Sequence, residues 1–107
     1  MLVFSKAIAT DPGGMPVEEM IARLSDNEAV FDLYVIGSLG AEGALMILSA
    51  AEALKPFYEN QRIKVLGMAF GKAEAEQLLA DMLRTHIARG RDVFSFKKYC
   101  QGLEERV

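Results

Sequence analysis

Lys72, directly after Gly71, is where residue type and spacing first suggest chemistry. A lysine at a glycine turn that opens a helix sets a full positive charge beside free backbone N–H groups, an arrangement suited to a small anion. Two other stretches share this character: Thr10-Asp11-Pro12-Gly13-Gly14 and Gly37-Ser38-Leu39-Gly40. The candidate contacts for a small anionic ligand are therefore Thr10, Asp11, Ser38, Gly40, Gly71 and Lys72. Asp11 would have to point away from an anion, or act as a base or metal contact. With Lys72 it would make an acid–base pair for a compact enzyme. The competing reading is that these glycines mark only the strand-to-helix turns of an α/β fold.

Established phosphate motifs do not match. The phosphate-loop pattern needs four residues before its Gly-Lys and a Ser or Thr after it. Here three residues separate Gly67 from Gly71, and Ala73 stands where the magnesium-binding hydroxyl would be, which argues against nucleotide hydrolysis. Gly37, Gly40 and Gly43 form G-x-x-G-x-x-G, not the dinucleotide fingerprint G-x-G-x-x-G. His86 is the single histidine and falls on an apolar helical stripe, where a packed or rim position explains it. A soft-metal site would have too few ligands, so no metal is assigned. Cys100 could pair with His86 as a nucleophile, but it also fits the inner face of a terminal helix, where buried thiols are inert. The sequence identifies neither a cofactor nor a catalytic residue, and no catalytic constellation is complete.

The elements that would position these residues follow from periodicity. Residues 62–70, RIKVLGMAF, form a short apolar run with β-branched Ile63 and Val65 that ends at glycine, which suits a buried strand. Beyond Lys72, Ala75, Leu78, Leu79, Met82, Leu83, His86 and Ile87 recur at three- and four-residue steps, the spacing of one helix face. Glu74 and Glu76 open that helix, Arg84 and Arg89 lie toward its end, and Gly90 caps it. Leu2 to Ala9 reads as a strand before the TDPGG turn, and Pro16 begins a helix over 16–25. Residues 30–36 read as a strand on propensity, against a capping box at Ser25–Glu28 that would start a helix instead. From Leu39 to Lys55 the spacing of Ala44, Ile47, Leu48, Ala51 and Leu54 predicts a helix, with Ser38 as N-cap and Pro56 as its stop. Gly43 within it points to close packing or to backbone kept bare for a ligand. A terminal helix starts near Ser95, with a short last strand as the alternative.

The order β-α-β-α-β-α, followed by a short strand or terminal helix, predicts a small α/β domain of two or three layers with a short, mainly parallel sheet. The alternative is a mostly helical domain with one or two short strands. In the parallel arrangement all three glycine turns would share the carboxyl edge of the sheet, where ligands of open α/β sheets bind.

At 107 residues the chain has room for one domain. The hydrophobic fraction is 51% and the mean hydropathy +0.16, more apolar surface than so small a core needs, which points to a homo-oligomer. One cysteine leaves no intramolecular disulfide and suits a reducing, cytoplasmic setting. The first ten residues lack the basic start of a signal peptide, and uncharged runs reach only nine residues, too short to span a membrane. Charge is lopsided: residues 1–61 carry three basic and nine acidic side chains, residues 62–107 nine basic and six acidic. A pI near 5.1 and the lack of interleaved aromatics argue against nucleic acid. The leading expectation is a non-catalytic binding or assembly module. A protein partner, a small anionic ligand or a small enzyme at the strand-end loops are the alternatives.

Overall fold

A computed structural model of the chain describes residues 1–10, 14–40 and 42–106. The apolar run after Arg62 is a central strand of a four-stranded sheet. In chain order the elements are β1 (Leu2–Thr10), α1 (Val17–Ser25), β2 (Leu33–Leu39), β3 (Ala44–Ser49) and α2 (Ala50–Ala53). A 3-10 turn (Pro56–Tyr58), β4 (Ile63–Phe70), α3 (Lys72–Ala88), a second 3-10 turn (Val93–Ser95) and α4 (Phe96–Gln101) complete it. The sheet order is β1-β4-β2-β3. β4 runs parallel to β1, while β2 runs antiparallel to both β4 and β3.

The α/β class stands, but the mainly parallel sheet is corrected to a mixed one. The cause lies in residues 39–55. Gly40 and Gly43 both hold φ near +67°, the left-handed conformation that reverses a chain cheaply only at glycine. They turn β2 back into β3 as a hairpin with an unbroken register from Leu39↔Ala44 to Tyr34↔Ser49. The predicted helix over 39–55 survives only as Ala50–Ala53. Its cap is Ser49, whose hydroxyl accepts from the Glu52 backbone N–H at 3.1 Å, not Ser38. Gly43 does pack closely, since a Cβ there would meet the Gln101 side chain at 2.5 Å. The expected strand over 30–36 exists but begins at Leu33, because Asp32 takes a positive φ of 61° in the turn before it.

Two apolar layers flank the sheet. On one face Met20 and Leu24 of α1 and Ala50 and Ala53 of α2 pack on Val35, Leu48, Ile63, Val65 and Met68. On the other, Leu78, Leu79, Met82 and Leu83 of α3 and Phe96 and Cys100 of α4 pack on Ile36, Leu66, Leu45 and Ile47. The alternation of Val35 with Ile36 and of Ile47 with Leu48 is the strand period of two dividing side chains between the layers. Gly37 lets β2 and β4 close up, for a Cβ there would stand 2.6 Å from Ile63 Cγ2. No described helix is long and apolar enough to cross a membrane.

Candidate functional site

The mixed sheet divides the six predicted contacts between its two ends. Thr10 pairs in register with Met68, and Gly71 and Lys72 follow Phe70, so these three share the carboxyl end of the parallel pair β1–β4. Ser38 and Gly40 belong to the other end, because Leu39 lies opposite Ile63 while Leu33 lies opposite Phe70. The length of β4 separates the two groups by roughly 23 Å. A single pocket formed by all three turns is therefore corrected, the physical reason being the reversed direction of β2. Asp11 lies outside the described residues.

At the Thr10–Lys72 end an acidic residue lies close to the turn expected to take an anion. The Gly71 N–H donates to the Asp32 carbonyl at 2.8 Å, and Asp32 Oδ2 lies 4.0 Å from where a Cβ on Gly71 would stand. A carboxylate this near the start of α3 makes the turn less favourable to a second negative group. Lys72 itself is exposed.

At the opposite end Ser38 and Gly40 line a cavity of about 380 Å³ with Arg62, Lys64, Gln101 and Glu105. Its cations are already engaged. Lys64 Nζ donates to the carbonyls of Gln101 at 2.6 Å and Leu103 at 2.8 Å, which places a positive charge on the carboxyl end of α4. Arg62 pairs with Glu105. This constellation holds the chain terminus to the sheet. Its one advance signal was a lone lysine inside the run IKVLGMAF.

A different surface is left incomplete by the fold. β1 and β3 are the two edges of the sheet. The β1 edge is covered at Phe4–Lys6 by residues 104–106: Lys6 N–H donates to the Glu104 carbonyl at 2.7 Å and Arg106 N–H to the Phe4 carbonyl at 2.6 Å. Among the described residues no strand pairs with the outer side of β3. Edge strands are normally blunted by a charge, a proline or a bulge; Ala-Leu-Met-Ile-Leu-Ser has none of these. Beside it runs an apolar groove of about 400 Å³, walled by Leu45 and Ile47 of β3, Glu76, Leu79, Ala80 and Leu83 of α3, and Phe96. Ile87, one turn beyond Leu83, is 47% exposed and extends that apolar stripe.

Cys100 and His86 do not make a nucleophilic pair. The thiol is fully buried, and burial pushes it up to about 11, with the Lys64 charge opposing the shift only in part. It is therefore a neutral S–H at physiological pH, not a thiolate. His86 is buried as the apolar stripe implied, held through Nε2 by Asp92 and Ser95 and packed against Phe96 and Tyr99. No cluster of three or more metal-ligating side chains occurs among the described residues. No protein-family model, curated protein or solved structure matches the chain.

Proposed function

We propose that this protein is a non-catalytic assembly module that pairs with a second copy of itself through β3 and the groove beside it. The observation that carries this reading is an uncharged, regular edge strand flanked by partly buried leucine and isoleucine, while the other sheet edge is covered at Phe4–Lys6 by the chain's own residues 104–106. Water solvates the edge N–H and C=O groups of a lone subunit, but the apolar groove gains only by being covered.

A second copy suits this surface for a geometric reason. A two-fold axis perpendicular to the sheet sets β3 antiparallel to its mate, which satisfies both backbones and joins the two grooves into one. The same operation runs the two α3 helices in opposite directions. Glu74 and Glu76 near the start of one then face the end where Arg84 and Arg89 lie on the other. The cytoplasm, where Cys100 stays reduced, is the setting this reading assigns.

Sedimentation velocity across a concentration series tests it, with Ile47→Lys as the variant. Ile47 contributes twice to a two-fold contact, so its replacement by a charge should weaken dimerisation by about a hundredfold or more, since two unpaired ammonium groups would have to lose their water on association. Ile47 also packs against the subunit's own core, so circular dichroism must first show the wild-type spectrum for the variant. A wild-type protein that stays monomeric at the highest concentration sinks the proposal. So does a dimer indifferent to Ile47→Lys.

A further inference from the structure

Val93 and Phe94 form a surface that neither the core nor self-association accounts for. They occupy the 3-10 turn between α3 and α4, where Phe94 is 90% and Val93 46% exposed. Phe31 and Phe57 are also largely open to solvent. Phe31, however, stands beside Asp32 and three residues after Glu28, and Phe57 has the ring of Tyr58 against it at 4.9 Å. Phe94 is set among cations instead: Arg89 and Arg91 precede it, Lys97 and Lys98 follow it, and all four are exposed.

Hydrogen bonds at the base of the turn hold these side chains outward. Asp92 Oδ1 accepts from the Phe94 N–H at 2.8 Å. The Asp92 carbonyl accepts from the Ser95 N–H at 3.0 Å and from the Ser95 hydroxyl at 2.7 Å. His86, buried on α3, brings its Nε2 to 3.1 Å from the same carbonyl and 3.0 Å from Ser95 Oγ. Because Ser95 gives its hydrogen to that carbonyl, Nε2 is the donor in both contacts. Directly after the turn, Phe96 and Cys100 anchor α4 in the core. An apolar pair on a turn fixed at both ends is preorganised, so covering it costs little further ordering.

The charge around the turn runs against that of the chain. Residues 89–98 hold four basic side chains and one acidic one, within a protein whose net charge is −3. The acid, Asp92, is engaged by the Phe94 N–H. Ion pairs of the described residues take up Lys6, Arg23, Arg62, Lys64, Arg84 and Arg106, and none of these four cations. Arg91 lies over the Tyr99 ring at 4.5 Å, a contact that leaves its charge uncompensated. Each of the four is within five residues of Phe94, so a surface that takes the ring lies near all of them.

We propose that this turn docks the protein on the surface of an anionic lipid bilayer. Val93 and Phe94 enter the boundary between headgroups and acyl chains, while Arg89, Arg91, Lys97 and Lys98 meet the negative headgroups. A side chain as exposed as Phe94 projects from the surface. A fluid bilayer accepts such a projection, whereas a protein partner would need a matching pocket. Single-stranded nucleic acid is bound along a groove by successive aromatic platforms, and this patch offers one exposed ring. Two apolar side chains or four cations alone would hold a membrane weakly; together they supply the two signals that stable anchoring takes. Docking is independent of pairing through β3, since none of these six residues lines the groove beside that strand.

The chain contains no tryptophan, so Phe94→Trp sets a single indole on the turn. The probes are vesicles of phosphatidylcholine alone and of phosphatidylcholine mixed with phosphatidylserine. With the mixed vesicles the indole emission should shift to the blue in a saturable way and be quenched by brominated acyl chains. High salt should reverse the shift, and phosphatidylcholine alone should bind at least about tenfold more weakly. In the otherwise wild-type chain, Lys97→Gln with Lys98→Gln should lower affinity for mixed vesicles about thirtyfold, and Phe94→Ser about tenfold or more. The replaced side chains are exposed, so circular dichroism should stay that of the wild type. No binding to mixed vesicles at millimolar lipid overturns the proposal. Binding with an unshifted indole, or an affinity indifferent to Phe94→Ser or to loss of both lysines, does so too. Tighter binding to a single-stranded oligonucleotide than to the vesicles would assign the patch to nucleic acid and overturn it as well.

Discussion

Cys100 illustrates how burial sets the chemistry of a single residue. Its position on the inner side of α4 leaves the thiol no water, so ionisation that begins near 9.0 in an unfolded chain is held off to about 11 in the native one. Between those values the native state binds the extra proton, and stability therefore falls as pH rises through this window. The contribution is intact below the unfolded value and amounts to on the order of 2 kcal/mol lost across the window. Urea unfolding at about pH 8 and about pH 10.5 should show the wild type losing more stability than Cys100→Ala, with all other titrations common to both chains. Equal losses would mean that water reaches the sulfur. His86, read from the sequence as a packed or rim histidine, is a packed one. The helical stripe announced its burial, but nothing local announced that Asp92 and Ser95 would take one ring nitrogen and leave the other bare.

At the scale of elements, Lys64 matters more than any glycine turn. It projects from β4 onto the carbonyls that end α4, only 12% of its side chain is exposed, and it fastens a six-residue helix too short to be stable alone. Lys64→Met keeps the length of the side chain and removes the charge. We expect a loss of about 1.5–3 kcal/mol, the usual value of hydrogen bonds from a charged donor. Hydrogen exchange should show residues 96–106 losing protection ahead of the sheet. Uniform loss of protection, or none, would refute this role. The hairpin at 33–49 shows why such features elude a local reading. Ala44, Ile47, Leu48, Ala51 and Leu54 satisfy a helical period, yet Leu45 to Leu48 also alternate correctly between two apolar layers. With both faces of the strand covered to some degree, the contrast of inside and outside that separates the two periods disappears. The Ser49–Glu52 cap was the local clue that a helix starts later.

For the molecule as a whole, the sheet order decides what is exposed. It leaves β3 outermost on one side and returns residues 104–106 to cover β1 on the other. Folding and pairing should therefore be linked. Raising the protein concentration tenfold should raise the midpoint of thermal unfolding measurably in the wild type and not in Ile47→Lys, because a dimer that only native chains form gains stability by mass action. A midpoint independent of concentration in both chains would count against pairing.

Local order was written in the sequence. The strand at 63–70, the helix that follows Gly71, the first strand and helix, and the buried placement of His86 and Cys100 all follow from side-chain periodicity and end residues, which act within a few positions of each other. Strand direction obeys no such rule. Whether β2 runs with or against β4 depends on hydrogen bonds between residues about thirty positions apart, and on which turn the glycines at 40 and 43 adopt. Only the assembled sheet decided that Ser38 and Gly40 would stand a strand's length from Gly71 and Lys72, that Asp32 would meet the start of α3, and that β3 would be left without a neighbour.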